Sequence, residues 1–335
     1  MPTISVLMSV YNGEEFLKES IDSILNQTYE DFEFVIVDDG STDSTIEIIE
    51  SYSDKRIKAY QLKENKGVSA ALQYGLSKIN GKYIAKADAD DIYLPARLQK
   101  QKEYLDSHKD LTLVKTLIEY FPHDEAISHT NRYKDFKAFR EQFKNTVVST
   151  SDIAEKLYWT CCIPHATIMA NAQVVKKIGY DTSLRMGEDY KLFYLMNKSG
   201  YKMGTVNEVL THVRVSANSL TVKEHSSFWN TVYKIKEQEI RALFENGNKV
   251  YLWGAGAKGE SVFNFILPRE LVIHGFIDSD LNKQSKGLNG IPVFSPDILL
   301  EGDKVIITSQ PGLYAIGEQL KGKGFAPLED FIGFF

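Results

Sequence analysis

Lys82-Tyr83-Ile84-Ala85-Lys86-Ala87-Asp88-Ala89-Asp90-Asp91 decides how the chain is read. It opens as a short β-type run and closes on three carboxylates, just before Ile92-Tyr93-Leu94-Pro95. Asp disfavours strand interiors, and like charges this close repel unless something positive lies between them. A divalent cation is the usual remedy, because hard carboxylate oxygens suit Mg2+ or Mn2+, above all when phosphates complete the shell. The plainer alternative is an acidic turn capping a helix that starts near Pro95.

Upstream, Ile4 to Val10 is an apolar, β-branched run ending at the turn Tyr11-Asn12-Gly13. Glu14 to Asn26 has helical spacing, with Phe16, Leu17, Ile21, Ile24 and Leu25 on one face. Phe32 to Val37 reads as a second buried strand and ends in Asp38-Asp39-Gly40-Ser41-Thr42-Asp43. A helix carrying Ile46, Ile48 and Ile49, a strand over Ile57 to Leu62 and a helix over Gly67 to Ile79 follow, and Gly81 breaks before the strand that leads to Asp88. This alternation predicts an α/β fold with a mostly parallel sheet and helices on both faces. Ligands in such sheets bind at the carboxyl ends of the strands. Tyr11-Asn12, Asp38-Asp39 and Asp88 to Asp91 all fall at such ends, so a shared site is expected. Capping by Asp43 or Ser41 remains the plain reading of part of the second cluster.

Downstream the pattern weakens. Residues 111–153 resist assignment, apart from the helical spacing of Phe136, Phe139, Arg140 and Phe143, which favours core packing. Tyr158 to Ala170 holds Trp159, Cys161, Cys162, Pro164 and His165. Gly187-Glu188-Asp189 opens a helix through about Ser199, and Met203 to Val215 is strand material. His225 to Asn246 forms an amphipathic helix closed by Gly247. The predicted organisation is a domain over 1–221, a helical linker over 222–247 and a small domain over 248–335.

Hydrophobic content of 43% and charged content of 25% suit a globular protein. A net charge of -6 argues against a general nucleic-acid binder. The two cysteines are adjacent, giving neither metal-ligand spacing nor a disulfide framework, which fits a reducing compartment. The start of the chain enters a strand pattern without a signal-like stretch, and no run approaches the ~20 apolar residues of a membrane span. A cytoplasmic protein is expected. Docking at the inner face of the cell membrane and homo-oligomerisation stay open.

The ordered set Ile4 to Asn12, Val35 to Asp43, Glu64-Asn65-Lys66-Gly67, Asp88 to Asp91 and Gly187-Glu188-Asp189-Tyr190 resembles family 2 glycosyltransferases over roughly residues 1–220. The resemblance implies a GT-A fold and inverting transfer of a sugar from a nucleotide-sugar donor, first of all a UDP-sugar. The acceptor would be a glycan or lipid-linked glycan in bacterial surface-polysaccharide synthesis. It implies Asp189 as the base with Glu188 beside it. Val10, Tyr11, Asn12, Asp38, Asp39, Lys66, Gly67, Asp88 and Ala89 would line the donor, Asp90 and Asp91 would hold Mn2+ or Mg2+, and His165 and Arg214 would face the acceptor.

The chemistry is coherent with that assignment. One opposite charge at ~4 Å and an effective dielectric of ~20 offers a leaving diphosphate about 4 kcal/mol before desolvation, and a bridging cation offers more. An inverting displacement also needs a carboxylate to take the acceptor proton. Two positions depart from the family. Ala71-Leu72-Gln73 stands where many relatives carry Arg, and Arg214-Val215-Ser216 keeps the Arg of an Arg-x-His ending but loses its His. These losses support an alternative, a catalytically impaired nucleotide-sugar-binding regulator or scaffold.

Near the end, Gly254-x-Gly256-x-x-Gly259 follows a strand and opens a helix, with Asp278 after the next strand. That is the context a dinucleotide fingerprint requires. Gly275 to Asp280 and Lys283 to Gly287 resemble the small Rossmann-like domain of some sugar C-methyltransferases. The segment predicts three or four strands and carries no hydride-transfer chemistry. It is read as a nucleotide-like or phosphate-binding module for sensing, packing or oligomerisation, so NAD turnover by a dehydrogenase is not expected.

Overall fold

A computed structural model describes residues 2–216, 228–309 and 311–335. The chain divides into two compact units, Met1–Leu157 with Cys161–Glu224, and Tyr158–Thr160 with His225–Phe335.

In the first unit the apolar runs become strands β1 (Ile4–Val10), β2 (Phe32–Asp38), β3 (Ile57–Gln61) and β4 (Tyr83–Asp88). β1 and β2 are almost wholly buried, as continuous apolar strands of a parallel sheet must be when helices cover both faces. Helices Leu17–Leu25, Thr45–Glu50 and Val68–Leu76 make the crossovers. β1 lies between β2 and β4, with Val10 opposite Asp38 and Ser9 opposite Asp88. This register aligns the acidic ends of β2 and β4 with the turn after β1.

The sheet continues through β5 (Ile92–Tyr93), β6 (Leu111–Pro122), β7 (Met169–Asn171) and β8 (Lys202–Val215). Its eight strands run in the order β3-β2-β1-β4-β7-β6-β8-β5. β7 is antiparallel to β4 and β6, and β5 is antiparallel to β8, so the sheet is mixed. The segment without a readable pattern therefore contains the 12-residue β6. Its apolar signal is broken by buried Lys115 and Thr116, and its pairing with β8 shifts register near Thr116 to Ile118. Helices Glu125–Ser128, Asn131–Asp135, Glu141–Thr146 and Thr150–Leu157 follow, with a π-helical turn at Phe136–Arg140. Phe136 packs on a small cluster that includes Ile118, Tyr120 and Val215, as its spacing predicts, whereas Phe139 is 70% exposed.

The second unit holds β9 (Val250–Trp253), β10 (Gly275–Ile277), β11 (Val293–Phe294), β12 (Lys304–Ile307) and β13 (Phe331–Gly333). They pair in parallel in the order β11-β10-β9-β12-β13. Five strands replace the expected three or four, and the strand expected from Leu271 shortens to Gly275–Ile277. Residues 222–227 of the expected linker lie outside the described residues. Beyond them, helix Phe228–Leu243 buries Val232, Tyr233, Ile240 and Leu243 in the core of the second unit. Trp159 stacks on Phe331 at 5.4 Å within the same unit.

Candidate functional site

The first corner of the site is built by the loops after β1 and β2. Asp38 is buried, and its Oδ1 accepts hydrogen bonds from the backbone N–H and hydroxyl of Ser41. The Ser41 hydroxyl oxygen accepts in turn from Asn12 N at 2.9 Å, and Asn12 Oδ1 accepts from Thr42 N at 2.8 Å. Asp43 accepts from Glu14 N at 3.1 Å and Glu14 from Ser44 N at 3.0 Å, so the two loops are laced together. The other oxygen of Asp38, Oδ2, is buried with no hydrogen-bond partner among the described residues. A buried carboxylate oxygen left unpaired carries a desolvation cost of about 1–3 kcal/mol or more. An N–H donor arriving there would remove that cost.

Asp39 is used differently. Its two oxygens accept from Lys66 N at 2.9 Å and Gly67 N at 2.8 Å, fixing the turn before helix Val68–Leu76. Gly40 has a φ of +73°, and a Cβ there would lie 2.7 Å from the backbone of Glu64, so glycine is needed where the two loops touch. Lys66 contributes its amide to Asp39, while its side chain is exposed. Tyr11 is 46% exposed beside this corner, at the end of Val10.

The acidic segment after β4 separates into distinct environments. Asp88 Oδ1 receives the ammonium of fully buried Lys86 at 2.5 Å. Burial opposes the Asp88 charge, but Lys86, followed by His165 and Arg97, holds the carboxyl below its ordinary range. Its backbone is pinned by Tyr93, whose hydroxyl accepts from Asp88 N, and by Ser20, which donates to Asp88 O at 2.8 Å. Asp91 is buried, and its Oδ1 accepts from Arg214 N at 2.9 Å. Burial, then the charges of Asp90 and Asp88, pushes the Asp91 carboxyl well above the ordinary range. Asp90 stays partly open; burial, then Asp88, pushes it up to about 6. Ala89, between them, packs against the sheet core.

Arg214 closes this loop. Its Nε donates to Asp90 O at 2.8 Å, its guanidinium pairs with Glu19, and it lies over the rings of Phe16 and Phe121 at 4.4 and 4.5 Å. The side chain expected at the acceptor is thus engaged in holding the acidic turn to helix Leu17–Leu25.

The third part comes from helix Glu188–Lys198. Glu188 is buried at its first turn, where the dipole favours negative charge, yet burial and then the Asp189 charge push its carboxyl up to about 8. Asp189 Oδ1 accepts from Tyr190 N at 2.7 Å, and Oδ2 lies 3.9 Å from Cys161 Sγ. Of two adjacent carboxyls, the buried one therefore keeps the proton near neutral pH. His165 sits between this pair and Asp88. Its Nδ1 lies 3.7 Å from Glu188 Oε1, and its Nε2 shares a hydrogen bond with Tyr180 at 3.0 Å. Burial, then Lys86, lowers the imidazole to about 4, so it is neutral at pH 7.

Several participants were not singled out in the sequence. Lys86 links Asp88 to the Glu188 side, and strand alternation already puts Lys86 and Asp88 on one face. Gln73, in the segment Ala71-Leu72-Gln73, accepts from Tyr180 N at 2.8 Å, setting the partner of His165. Lys144 and Cys161 approach Asp189 from residues far away in sequence, which no local pattern signals.

The expected Mn2+ or Mg2+ would find only part of its shell in this donor set. Among the described residues no group of three His, Cys, Asp or Glu side chains is arranged to hold a metal by itself. The oxygen ligands of Asp90 and Asp91 nevertheless suit a hard cation. The raised affinity of both carboxyls for protons marks a place where a cation would relieve repulsion. The residues fit a metal whose shell is completed by a diphosphate.

The C-terminal glycine loop is self-satisfied by comparison. Asp278 Oδ2 accepts from Ala255 N at 3.0 Å and from Lys283 Nζ at 2.8 Å, and Oδ1 accepts from Asp280 N at 3.0 Å. A Cβ at Gly259 would lie 1.9 Å from Gly254 O, so this glycine is explained by close packing of helix Ala257–Ile266 on the loop. Gly256 leaves open space around its Cα.

Comparison with known proteins agrees with the fold of the first unit. Residues 246–326 match C2185-like, N-terminal. The chain is 31% identical over 280 residues to an uncharacterized glycosyltransferase, MJ1057, of Methanocaldococcus jannaschii, covering 79% of this chain and 89% of that protein. It is 29% identical over 234 residues to the minor teichoic acid biosynthesis protein GgaB of Bacillus subtilis, covering 68% of this chain and 25% of that one. Among solved structures, S. aureus TarS 1-349 in complex with UDP is similar with a TM-score of 0.51 and 20% identity, over 71% of this chain and 65% of that one. The mannosyltransferase PcManGT from Pyrobaculum calidifontis, in complex with GDP-Man and Mn2+, is similar with a TM-score of 0.52 and 20% identity, over 82% and 70%. These structures share the GT-A type of fold seen in the first unit. Residues 5–175 match the Glycosyl transferase family 2 description, and the chain belongs to that family.

Proposed function

We propose that the chain is a metal-dependent, inverting glycosyltransferase that moves a sugar from a nucleotide-sugar donor, first of all a UDP-sugar, to a glycan or lipid-linked glycan. One observation carries this reading. Asp88 and the Glu188–Asp189 pair, a hundred residues apart, meet around His165 and Lys86 at the carboxyl end of the sheet. Solved relatives of the same fold bind UDP, or GDP-Man with Mn2+, which supports a nucleotide-sugar donor and a divalent ion.

In this reading Asp38 Oδ2 accepts an N–H of the base, Tyr11 packs on the nucleoside, and Val10 and Asn12 shape its loop. Asp39 acts through the Lys66–Gly67 turn. Asp88, oriented by Lys86, faces the ribose or sugar, with Ala89 giving the donor room. Asp90 would hold the metal directly and Asp91 would back it; the ion supplies Lewis-acid stabilisation of the leaving diphosphate. Asp189 takes the acceptor hydroxyl proton as the new C1–O bond forms and the bond from C1 to the diphosphate oxygen breaks. Glu188, keeping its proton, adds no second negative charge beside Asp189. His165, neutral and bonded to Tyr180, shapes the acceptor side.

The impaired-scaffold alternative rests on the absent Arg and His, and transfer to any acceptor, or slow hydrolysis of the donor, would separate it from the transferase. A location at the cytoplasmic face of the membrane in surface-glycan synthesis belongs to the same proposal, supported by the likeness to GgaB. The parallel order β11-β10-β9-β12-β13 supports reading the second unit as a Rossmann-like module.

A thermal-shift panel of nucleotide sugars with Mn2+, followed by acceptor screening with the best donor, tests the proposal. Asp189→Asn should lower transfer by roughly 100- to 10,000-fold while calorimetry finds donor binding intact. Full activity in that variant would remove the base assignment. Asp90→Ala should abolish the Mn2+ dependence of UDP binding, and an unchanged isotherm would refute its role.

A further inference from the structure

The helix Glu141–Thr146 is fastened to β6 by polar ties that fix what it presents. Glu141 Oε2 accepts from Tyr120 N at 2.6 Å. The Asn145 amide exchanges two hydrogen bonds with the backbone of Ile118, at 3.0 and 2.8 Å. Buried Lys115 donates to Lys144 O at 2.6 Å. Held in this way, the Lys144 ammonium donates to Cys161 O at 3.4 Å, and Cys161 Sγ lies 3.9 Å from Asp189 Oδ2.

Arg140 stands one turn earlier on the same face. Its guanidinium lies over Phe136 at 4.3 Å, and both cations act electrostatically on the buried Tyr120 hydroxyl. Among the described residues neither Lys144 nor Arg140 has a carboxylate within ion-pair distance. Nearby lysines are neutralised: Lys137 by Glu119 and Glu141, Lys191 by Asp181. Burial works against the Lys144 charge, while Cys161, Tyr120 and Asp189 favour it.

Lys144 near Asp189 and exposed Arg140 one turn earlier, neither within ion-pair distance of a carboxylate among the described residues, make a local positive patch that an anion would complement. The leaving diphosphate is a poor candidate, because in an inverting displacement the base and the leaving group lie on opposite faces of the sugar. We infer that Lys144 and Arg140 form an anion subsite on the acceptor side of Asp189 that receives a phosphate of the acceptor. The inference rests on the glycosyltransferase reading and narrows its acceptor to a phosphate-bearing molecule. That phosphate can belong to a prenyl diphosphate carrier or to a polyol-phosphate chain, since both present the same oxygens to a charge-assisted hydrogen bond.

The test fills the donor site first. Mn2+ and the nucleoside diphosphate giving the largest thermal shift are held at saturation. The full chain is then titrated with farnesyl diphosphate, with a glycerol-phosphate oligomer and with an uncharged maltooligosaccharide. Stronger binding of one phosphate probe than of the neutral sugar is expected, and which one binds identifies the source. Lys144→Gln and Arg140→Gln should each weaken that probe by roughly 10- to 100-fold, with nucleotide affinity unchanged and circular dichroism confirming the fold. Added salt should weaken it in parallel.

Equal binding of all three probes would overturn the subsite. So would a Lys144→Gln variant that loses nucleotide affinity instead, or one that shifts only the pH profile of transfer with probe affinity intact. If no nucleoside diphosphate binds even the parent chain, the glycosyltransferase reading itself fails, and the two failures are distinguished.

Discussion

Asp38 and Asp278 occupy equivalent places in two different sheets. Each ends or follows the strand beside the first strand of its unit, β2 beside β1 and β10 beside β9. Their surroundings diverge. Asp38 spends one oxygen on the Ser41 turn and buries the other without a partner. Asp278 spends both, on Ala255, Lys283 and Asp280. The same topology thus yields one carboxylate with a buried unpaired oxygen, which we propose for a ligand, and one that has become a fastener. A sequence fingerprint reports the topology, and the unpaired oxygen reports readiness to bind.

The sharpest way to break this contrast is Asp38→Asn. Oδ1 must still accept from Ser41 N, so the new amide nitrogen points to where Oδ2 stood. A donor then meets the donor edge of the base. UDP affinity should fall by roughly 10- to 100-fold in calorimetry, the worth of a charged hydrogen bond, with circular dichroism confirming the fold, since the amide group is as unpaired there as the oxygen it replaces. Undiminished UDP binding would erase the distinction between the two aspartates.

The Glu188–Asp189 pair sharpens the contrast in a second way, through pH. The Glu188 carboxyl is raised by burial and by Asp189 from an ordinary value of 4.5 to about 8. Above 4.5 the unfolded chain has lost this proton while the folded chain keeps it, so the contribution of Glu188 to stability falls as pH rises and levels off past about 8. Glu188→Gln imitates the protonated form and should flatten that decline. We expect the variant to melt higher than the parent at about pH 9, by a few °C, with the difference shrinking towards about pH 5 in differential scanning fluorimetry. Parallel melting curves across this range would mean that the carboxyl is ionised in the folded protein.

How much of this was readable depends on where each interaction lies in the sequence. β1, β2 and β4 are buried on both faces, so they read as apolar runs, and the acidic ends of β2 and β4 mark where the runs stop. The site was therefore visible wherever its residues sit at the ends of regular strands. β6 was hidden because Lys115, Thr116 and Glu119 interrupt its apolar signal, and β7 because three residues are too few for a period. The chain from Gln73 through Tyr180 to His165 and Glu188 exists only in three dimensions. So does the placing of Lys144 beside Cys161. The resemblance implies Arg214 at the acceptor, whereas its engagement with Glu19, Phe16 and Phe121 depends on partners that sequence order does not bring near.

The smallest expected effect comes from the other side of the comparison. Asp278→Asn keeps an oxygen for one amide and loses the ion pair with Lys283, whose side chain is 41% exposed. Such pairs contribute about 0.2–1 kcal/mol, so the melting temperature should drop by about 1–3 °C near pH 7. Burial opposes the Asp278 charge, but Lys283 and the backbone amides of Asp280 and Ala255 hold its carboxyl below the ordinary 3.8. A lowered folded-state value means stability that is present above 3.8 and lost as pH falls through the folded value. The gap between variant and parent should therefore close in acid. Affinity for UDP should stay the same, and a dinucleotide should give no thermal shift with either form. A dinucleotide shift that vanishes in Asp278→Asn would make Asp278 a ligand-binding carboxylate after all. It would also require the Lys283 pair to open on binding, because both oxygens are already committed in the fold described here.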